Sequence, residues 1–403
     1  MQKDLKMNKL FNEATLGKVK VKNRIIRSAT HEGLGNDDGS SKDELNGMYE
    51  RLAKGGVGAI ITGYCGIMKQ GRTFSTMRMF DDDKYIEFYR NLNDKISSYG
   101  TPTINQIAHG GGNVDTSLDG VESVSPTPFK SKMLNTHSRE LTEDEIEKII
   151  KAFAMAIVRS KKSGFAAVQL HCAHGYLLSE FLSPHVNNRN DKWGGSNEKR
   201  FRIVREIIDC ARNEVGDYPI WAKFSSHDGD KGGIKVDEGV KIAANFQKAG
   251  LDALEVSCGG INDGFNTMRV PKVPLDAMMK LVPTMKKMPK IAKFIFKILG
   301  PITIKRPEPI FNYNVDAAAK IKNEVDFDVI AVGGIRKKED MENIIISGKA
   351  DAVSLSRPFI IEPNFVEKLK SGKQDASRCI SCGYCLFGCL TKKVRCYYGK
   401  IKE

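Results

Sequence analysis

The stretch Phe165-Ala166-Ala167-Val168-Gln169-Leu170-His171-Cys172-Ala173-His174-Gly175-Tyr176 decides how this chain reads. Its first half, 165–170, is a short apolar run of strand length. Its second half changes to imidazoles, a glycine and a phenol. The preceding segment, 142–162, has helical periodicity, with Thr142 and Glu145 spaced as a capping box and Gly164 placed to stop the helix. The following segment, 198–213, reads as another helix. Polar groups at the end of a strand flanked by helices suggest a parallel sheet with a site at its C-terminal edge.

The same unit repeats in both directions. Strands are expected at 24–28, 57–62, 101–106, 165–170, 219–224, 252–256, 328–332 and 352–355. Helices are expected near 44–54, 84–98, 142–162, 198–213, 237–249, 315–324, 338–346 and 363–370. Gly250 stops the fifth helix as Gly164 stops the third. Eight alternating units with right-handed crossovers predict an α/β fold, a closed (β/α)8 TIM barrel over residues 1–370. An open doubly wound sheet is the alternative. Its usual glycine-rich turn after the first strand is missing, because Ser28-Ala29-Thr30-His31 stands there. Two segments break the alternation. One is an insertion after strand six, 258–312, with seven prolines that forbid a long straight helix. The other is a cysteine-rich tail, 371–403.

Composition narrows the function classes. The 403 residues are 41% hydrophobic, enough for a large core, and carry a net charge of +14. No run of apolar residues is long enough to span a membrane. The N-terminus, MQKDLKMNKL, has charges where a secretory signal needs an apolar stretch, so a cytoplasmic location is expected. The excess charge is localised. Residues 269–306 hold ten Lys/Arg and one Asp, and residues 370–403 hold eight Lys/Arg and two acids. The barrel itself is nearly neutral, which argues against a nucleic-acid-binding protein.

Strand ends carry the candidate chemistry. After strand four, His171, His174 and Tyr176 stand together. Two imidazoles can donate to one carbonyl oxygen, and a phenol can act as general acid. Structural histidines or a metal site are the other readings of His171-x-x-His174. Gln106 ends strand three with an amide that suits a heteroaromatic edge. Lys223 points inward from strand five and needs an anion, either a ligand or a structural carboxylate. Gly333 and Gly334 after strand seven, with Ser356 and Arg357 after strand eight, match the place where barrels hold phosphate, though a Gly-Gly pair alone would be an ordinary turn.

These residues, together with Val21–Ser28, Phe181-Leu182-Ser183-Pro184 and Asn188-Arg189-x-Asp191-x-x-Gly194-Gly195-Ser196-x-Glu198-x-Arg200, make the chain resemble the old yellow enzyme family over roughly residues 8–370. The resemblance implies FMN across the barrel mouth. Ala29, Thr30, Gly63, Gln106 and Lys223 would lie near its ring, and Gly333, Gly334, Ser356 and Arg357 would hold its phosphate. It also implies NADH or NADPH as electron donor and reduction of the C=C bond of an α,β-unsaturated carbonyl, such as an enoyl or dienoyl thioester. His171 and His174 would bind the carbonyl, Tyr176 would protonate carbon, and His31 would tune the flavin or touch substrate. Lys223 stands where many members have Arg, Ser356 where Gly is usual, and Gly112 where Arg often ends the strand-three motif.

Five of the nine cysteines fall between 379 and 396. The other four, Cys65, Cys172, Cys210 and Cys258, read as core residues. Cys379-x-x-Cys382-x-x-Cys385 with Cys396 has the spacing of a [4Fe–4S] site, and Cys389 competes as a ligand. Structural zinc and free thiols are the alternatives. The tail resembles the cluster segment of the dienoyl-CoA reductase and trimethylamine dehydrogenase branch, whose members continue into an FAD- and nucleotide-binding domain. Three further readings stay open: an amine or N-methyl dehydrogenase, an electron-transfer flavoprotein subunit with a partner electron-transfer protein, and a basic membrane-docking module; a homo-oligomer is a separate expectation. The basic stretch Met285–Leu299 reads as a lid over the mouth, a partner-docking face or an interfacial helix.

Overall fold

The computed structural model describes residues 8–131, 136–260, 264–304, 306–389 and 392–400. The first seven residues of the charged N-terminus, parts of the insertion and tail, and 132–135 lie outside the described residues.

Eight parallel strands form a closed barrel: β1 (Ile25–Arg27), β2 (Ala59–Ile61), β3 (Thr103–Ala108), β4 (Ala167–Cys172), β5 (Ile220–Ser225), β6 (Ala253–Ser257), β7 (Asp328–Val332) and β8 (Ala352–Leu355). Each pairs with the next in sequence, and β8 returns to β1 through Val353↔Ile25 and Leu355↔Arg27. The eight intervening or following helices are α1 (Glu44–Lys54), α2 (Ile86–Ser97), α3 (Glu143–Lys162), α4 (Asn197–Val215), α5 (Val236–Lys248), α6 (Val315–Lys322), α7 (Lys338–Ile346) and α8 (Phe365–Lys370). The expected (β/α)8 architecture is therefore present. One boundary matters for the site. β4 runs two residues further than expected, so His171 lies inside the strand, opposite Lys223 of β5. Continued pairing with β5 carries it there.

Sequence explains the local structure. In α3, Ile146, Ile149, Ile150, Phe153 and Ile157 recur at helical spacing and are buried. Thr142 Oγ1 accepts from the Glu145 N–H, and Glu145 accepts from the Thr142 N–H. Such a cap is worth about 1 kcal/mol. Gly164, at φ 75°, ends the segment. The lower barrel interior is apolar: Ile26, Ile61, Ile104, Trp221 and Ile330 pack there. A hairpin of Ala14–Leu16 and Val19–Val21 plugs that end. Trp221 Nε1 donates to the Gly17 carbonyl at 3.0 Å, and a Cβ at Gly17 would meet Nε1 at 2.5 Å, so the plug needs glycine there.

The insertion corrects one expectation. A 14-residue helix, Lys290–Thr303, does form within it. Pro289 sits at its N-cap, and Pro301 falls in the last turn, where it removes only a terminal hydrogen bond. The insertion packs on the tail: Val273, Ala277 and Met278 share a core with Phe387. The tail is also tied to the β1 loop. Val394 N–H donates to Glu32 O at 2.7 Å, and Lys393 pairs with Glu44 at 2.9 Å. No helix among the described residues is long and apolar enough to cross a membrane.

Candidate active site

The upper barrel interior is polar, and alternation along the strands makes it so. Inward positions carry Gln106 on β3, Gln169 and His171 on β4, Lys223 on β5, Glu255 on β6 and Ser354 on β8. Glu255 is the hub. It accepts from Ser28 Oγ at 2.7 Å, Ser354 Oγ at 2.6 Å and Gln169 Nε2 at 3.0 Å, and it pairs with Lys223 Nζ at 3.1 Å. Gln106 donates to Gln169 at 2.7 Å, and Lys223 donates to Ser28 at 2.9 Å. The anion that Lys223 requires is therefore in part a structural carboxylate. Glu255 was not singled out in the sequence. Its signal was the register, since Glu255 shares an inward row with Lys223.

A cavity opens above this layer at the C-terminal ends of the strands. Ala29, Thr30, His31, Gln106, His171, His174, Tyr176, Lys223, Gly333, Gly334, Ser356 and Arg357 all line it. Gly63 does not. Its N–H donates to Glu32 Oε1 at 2.7 Å, and its Cα faces the Glu32 carboxylate closely enough that a side chain would clash. Arg27, Arg78 and Tyr49 surround the same carboxylate. Burial raises the Glu32 pKa, but Arg78 and Arg27 outweigh it and hold the group down to about 2. This network braces the β1–β2 side of the mouth.

His171 and His174 meet edge to face at 5.1 Å between ring centres, and Tyr176 lies 5.0 Å from His171. His174 sits at φ 64°, a left-handed conformation that turns the chain back toward the mouth. Its Nε2 pairs with Ser257 Oγ at 2.8 Å. His171 Nδ1 is buried with no hydrogen-bond partner. Burial, then His174 and Lys223, hold the His171 pKa well below the ordinary value. Burial and Lys223 bring His174 to about 3. Both imidazoles are therefore neutral near pH 7, and a neutral imidazole can still donate one hydrogen bond. Burial raises Tyr176, which keeps it a phenol. Tyr64, one residue after Gly63, was missed in the sequence. It contacts Tyr176, stacks on His31 at 5.3 Å, and lies 6.0 Å from His171.

The opposite end of the cavity is cationic. Arg336 and Arg357 line it, and Arg269 stacks on the lining residue Tyr313 at 4.4 Å. No Asp or Glu lines the cavity among the described residues. Arg336 is buried, and its Nε and Nη1 have no partner. Burial and the neighbouring Arg357 lower its pKa, against the pull of Cys379. Gly333 and Gly334 have φ of 135° and 72°, and a Cβ on Gly333 would strike Tyr313 at 2.6 Å. The buried Arg336 guanidinium, two of its nitrogens unpartnered, fits a phosphate beside two positive-φ glycines. The amide, the ammonium and the apolar wall fit a flavin ring. FMN therefore fits the residues present.

Four cysteine-tail residues, Cys385, Leu386, Cys389 and Val394, complete the wall. Cys379, Cys382 and Cys396 lie near enough to influence Cys385, which burial first pushes up to about 12. Cys389 also feels Cys385, burial first pushing it up to about 12, and its thiol donates to the Leu386 carbonyl at 3.0 Å. Among the described residues no three His, Cys, Asp or Glu side chains converge as a metal site. The insertion contributes Gly260, Gly264, Thr267 and Met268 to the wall, and none of Met285–Leu299.

Comparison with known proteins agrees with the fold. A profile described as the NADH:flavin oxidoreductase / NADH oxidase family matches residues 9–269 and 274–376. The chain is 36% identical to an NADH oxidase of Thermoanaerobacter brockii over 96% of its own length and 54% of that protein's. It is 31% identical to an NADPH dehydrogenase of Bacillus pumilus, covering 89% of this chain and 93% of that one. It also overlays on a 2-naphthoyl-CoA reductase with a TM-score of 0.81 at 23% identity, covering 97% of this chain and 56% of that one. An old yellow enzyme homologue from Zymomonas mobilis gives a TM-score of 0.73 at 20% identity, covering 92% and 95%. The chain thus spans about half the length of the first of these relatives.

Proposed function

The chain belongs to the NADH:flavin oxidoreductase / NADH oxidase family, and on that premise we propose that it is an FMN-dependent NAD(P)H oxidoreductase that reduces the C=C bond of an α,β-unsaturated carbonyl compound. The observation that carries the reading is the His171–His174–Tyr176 cluster at one end of a cavity whose other end is cationic.

FMN, when bound, supplies the hydride. Gly333, Gly334, Ser356 and Arg357, with Arg336, would hold its phosphate. Gln106 and Lys223 would meet the ring edge, with Ala29 and Thr30 beside it. Lys223 would favour added negative charge there. His171 and His174 bind the substrate carbonyl oxygen, and their neutral N–H groups stabilise the charge that develops on it. Tyr176 gives its proton to the adjacent carbon, and Tyr64 orients that phenol. His31, stacked on Tyr64, contacts substrate. A thioester such as a CoA ester suits the cationic surroundings.

The proposal extends to a [4Fe–4S] cluster on Cys379, Cys382, Cys385 and Cys396, with Cys389 left in the cavity wall. Spacing supports it, as does the closeness of Cys379, Cys382 and Cys396 to Cys385. Iron and acid-labile sulfide analysis of anaerobically purified protein tests this part alone. The activity is tested by NAD(P)H oxidation with and without 2-cyclohexenone. Enone-dependent turnover supports the reading, and a protein that FMN cannot reconstitute overturns it.

A further inference from the structure

The helix Lys290–Thr303 wears its apolar side outward. Phe296 joins the core shared with Met278 and Phe387, and Gly300 is buried, so close to Leu275 that a Cβ there would approach it to 2.8 Å. The remaining apolar residues face away. Ile291 is 73% exposed, Phe294 64%, Ile298 54% and Ile302 80%, and Ile295 and Leu299 are about half exposed. At a helical repeat of about 100° per residue these six fill one continuous arc opposite the core. Lys290 and Lys297 flank one edge of that arc, Lys293 lies further round toward the core with its Nζ on the Lys286 carbonyl at 2.8 Å, and exposed Lys286 and Lys287 precede the helix. Lys297 also reaches Asp276 at 3.7 Å.

Charge and chemistry choose the occupant. Residues 269–306 carry ten Lys/Arg against one Asp, so a second copy seated face to face would set two strongly basic surfaces together. The six residues of the arc have no polar side-chain atom with which a protein partner could fix its register, whereas protein interfaces ordinarily carry several hydrogen bonds. An anionic lipid surface needs none. It takes the apolar arc into the acyl boundary and the lysines at the phosphate level. We propose that this helix docks the protein on anionic membrane surfaces, lying in the interface plane and not spanning it. The inference does not depend on the reaction in the cavity.

Flotation of the full-length holoprotein with vesicles tests it. The vesicles are phosphatidylcholine alone or with one third phosphatidylglycerol. The expected result is binding to the anionic vesicles at least about ten-fold stronger than to the neutral ones, weakening as salt is raised. Phe294→Asp with Ile298→Asp should abolish it while leaving the flavin spectrum and Tm unchanged. Lys290→Gln with Lys297→Gln, which keeps the arc, should weaken it. Wild-type protein that stays soluble beside anionic vesicles would overturn the proposal. So would aspartate variants that float as well as wild type, or a wild-type dimer that those substitutions split, which would give the face to a second copy.

Discussion

The Tyr176 hydroxyl donates to the Tyr64 hydroxyl at 3.2 Å, and Tyr64 in turn shares a hydrogen bond with Thr73 Oγ1 at 3.0 Å. The phenol assigned as proton donor is therefore aimed by a second phenol, itself anchored to a threonine. Removing the anchor should misdirect the proton without removing it. Tyr64→Phe is expected to slow enone reduction about five-fold, the worth of one neutral hydrogen bond. Reduction of the flavin by NAD(P)H should change little. Stopped-flow measurement of the two half-reactions separates these outcomes.

The histidine pair gives a pH signature. Burial, then neighbouring charge, depresses both imidazoles in the folded chain, His174 to about 3. Unfolded imidazoles take a proton near pH 6.5, so the unfolded state binds more protons below that pH. The stability contributed by the neutral pair is full above about pH 6.5 and is lost as pH falls toward 3. Tm should therefore drop on acidification. Enone affinity, read from flavin absorbance, should stay flat from about pH 5.5 to 8, because the bound-state imidazoles do not titrate there. An affinity inflection near pH 6.5 would contradict neutral donors.

Lys223 and Glu255 face each other inside the barrel at 3.1 Å, both buried. Lys223→Met leaves Glu255 without its cation, and breaking a buried pair from one side costs about 3–5 kcal/mol. Changing both residues to Met should cost less than that single change. A thermal or urea melt of Lys223→Met, Glu255→Met and the double variant measures the coupling.

Arg336 presents two unpartnered donors to the cationic end of the cavity. Arg336→Ala should weaken FMN binding by about 30-fold or more, the cost of removing one side of a buried charged pair. Flavin fluorescence on dilution reads this directly. Unchanged retention of FMN would remove Arg336 from the phosphate site.

Much of the barrel was legible because parallel strands covered on both faces are written as short apolar runs between amphipathic helices. The residues after those runs, among them His174, Tyr176, Gly333 and Arg357, line the mouth for the same reason. Other features depend on neighbours distant in sequence. Glu255 reads as one acid in an apolar strand until β5 is set beside it. Tyr64 follows Gly63 by one residue, yet only the folded loop turns it toward Tyr176 while Gly63 turns to Glu32. Prolines in the insertion suggested interruption, but Pro289 and Pro301 fall at the ends of a helix, where the backbone tolerates them. The packing of Phe387 on Met278 joins two segments that the sequence presents as separate additions.

The most direct test of the central claim is a single-turnover experiment. FMN-loaded protein, reduced anaerobically with NAD(P)H, is mixed with 2-cyclohexenone while flavin reoxidation is followed. Wild-type protein should reoxidise, and Tyr176→Phe should do so about 10²–10⁴-fold more slowly, the usual worth of a general acid. Its reduction by NAD(P)H should stay within a few-fold of wild type. Reduced wild-type flavin that the enone leaves untouched would contradict the account, as would equal reoxidation rates in the two proteins.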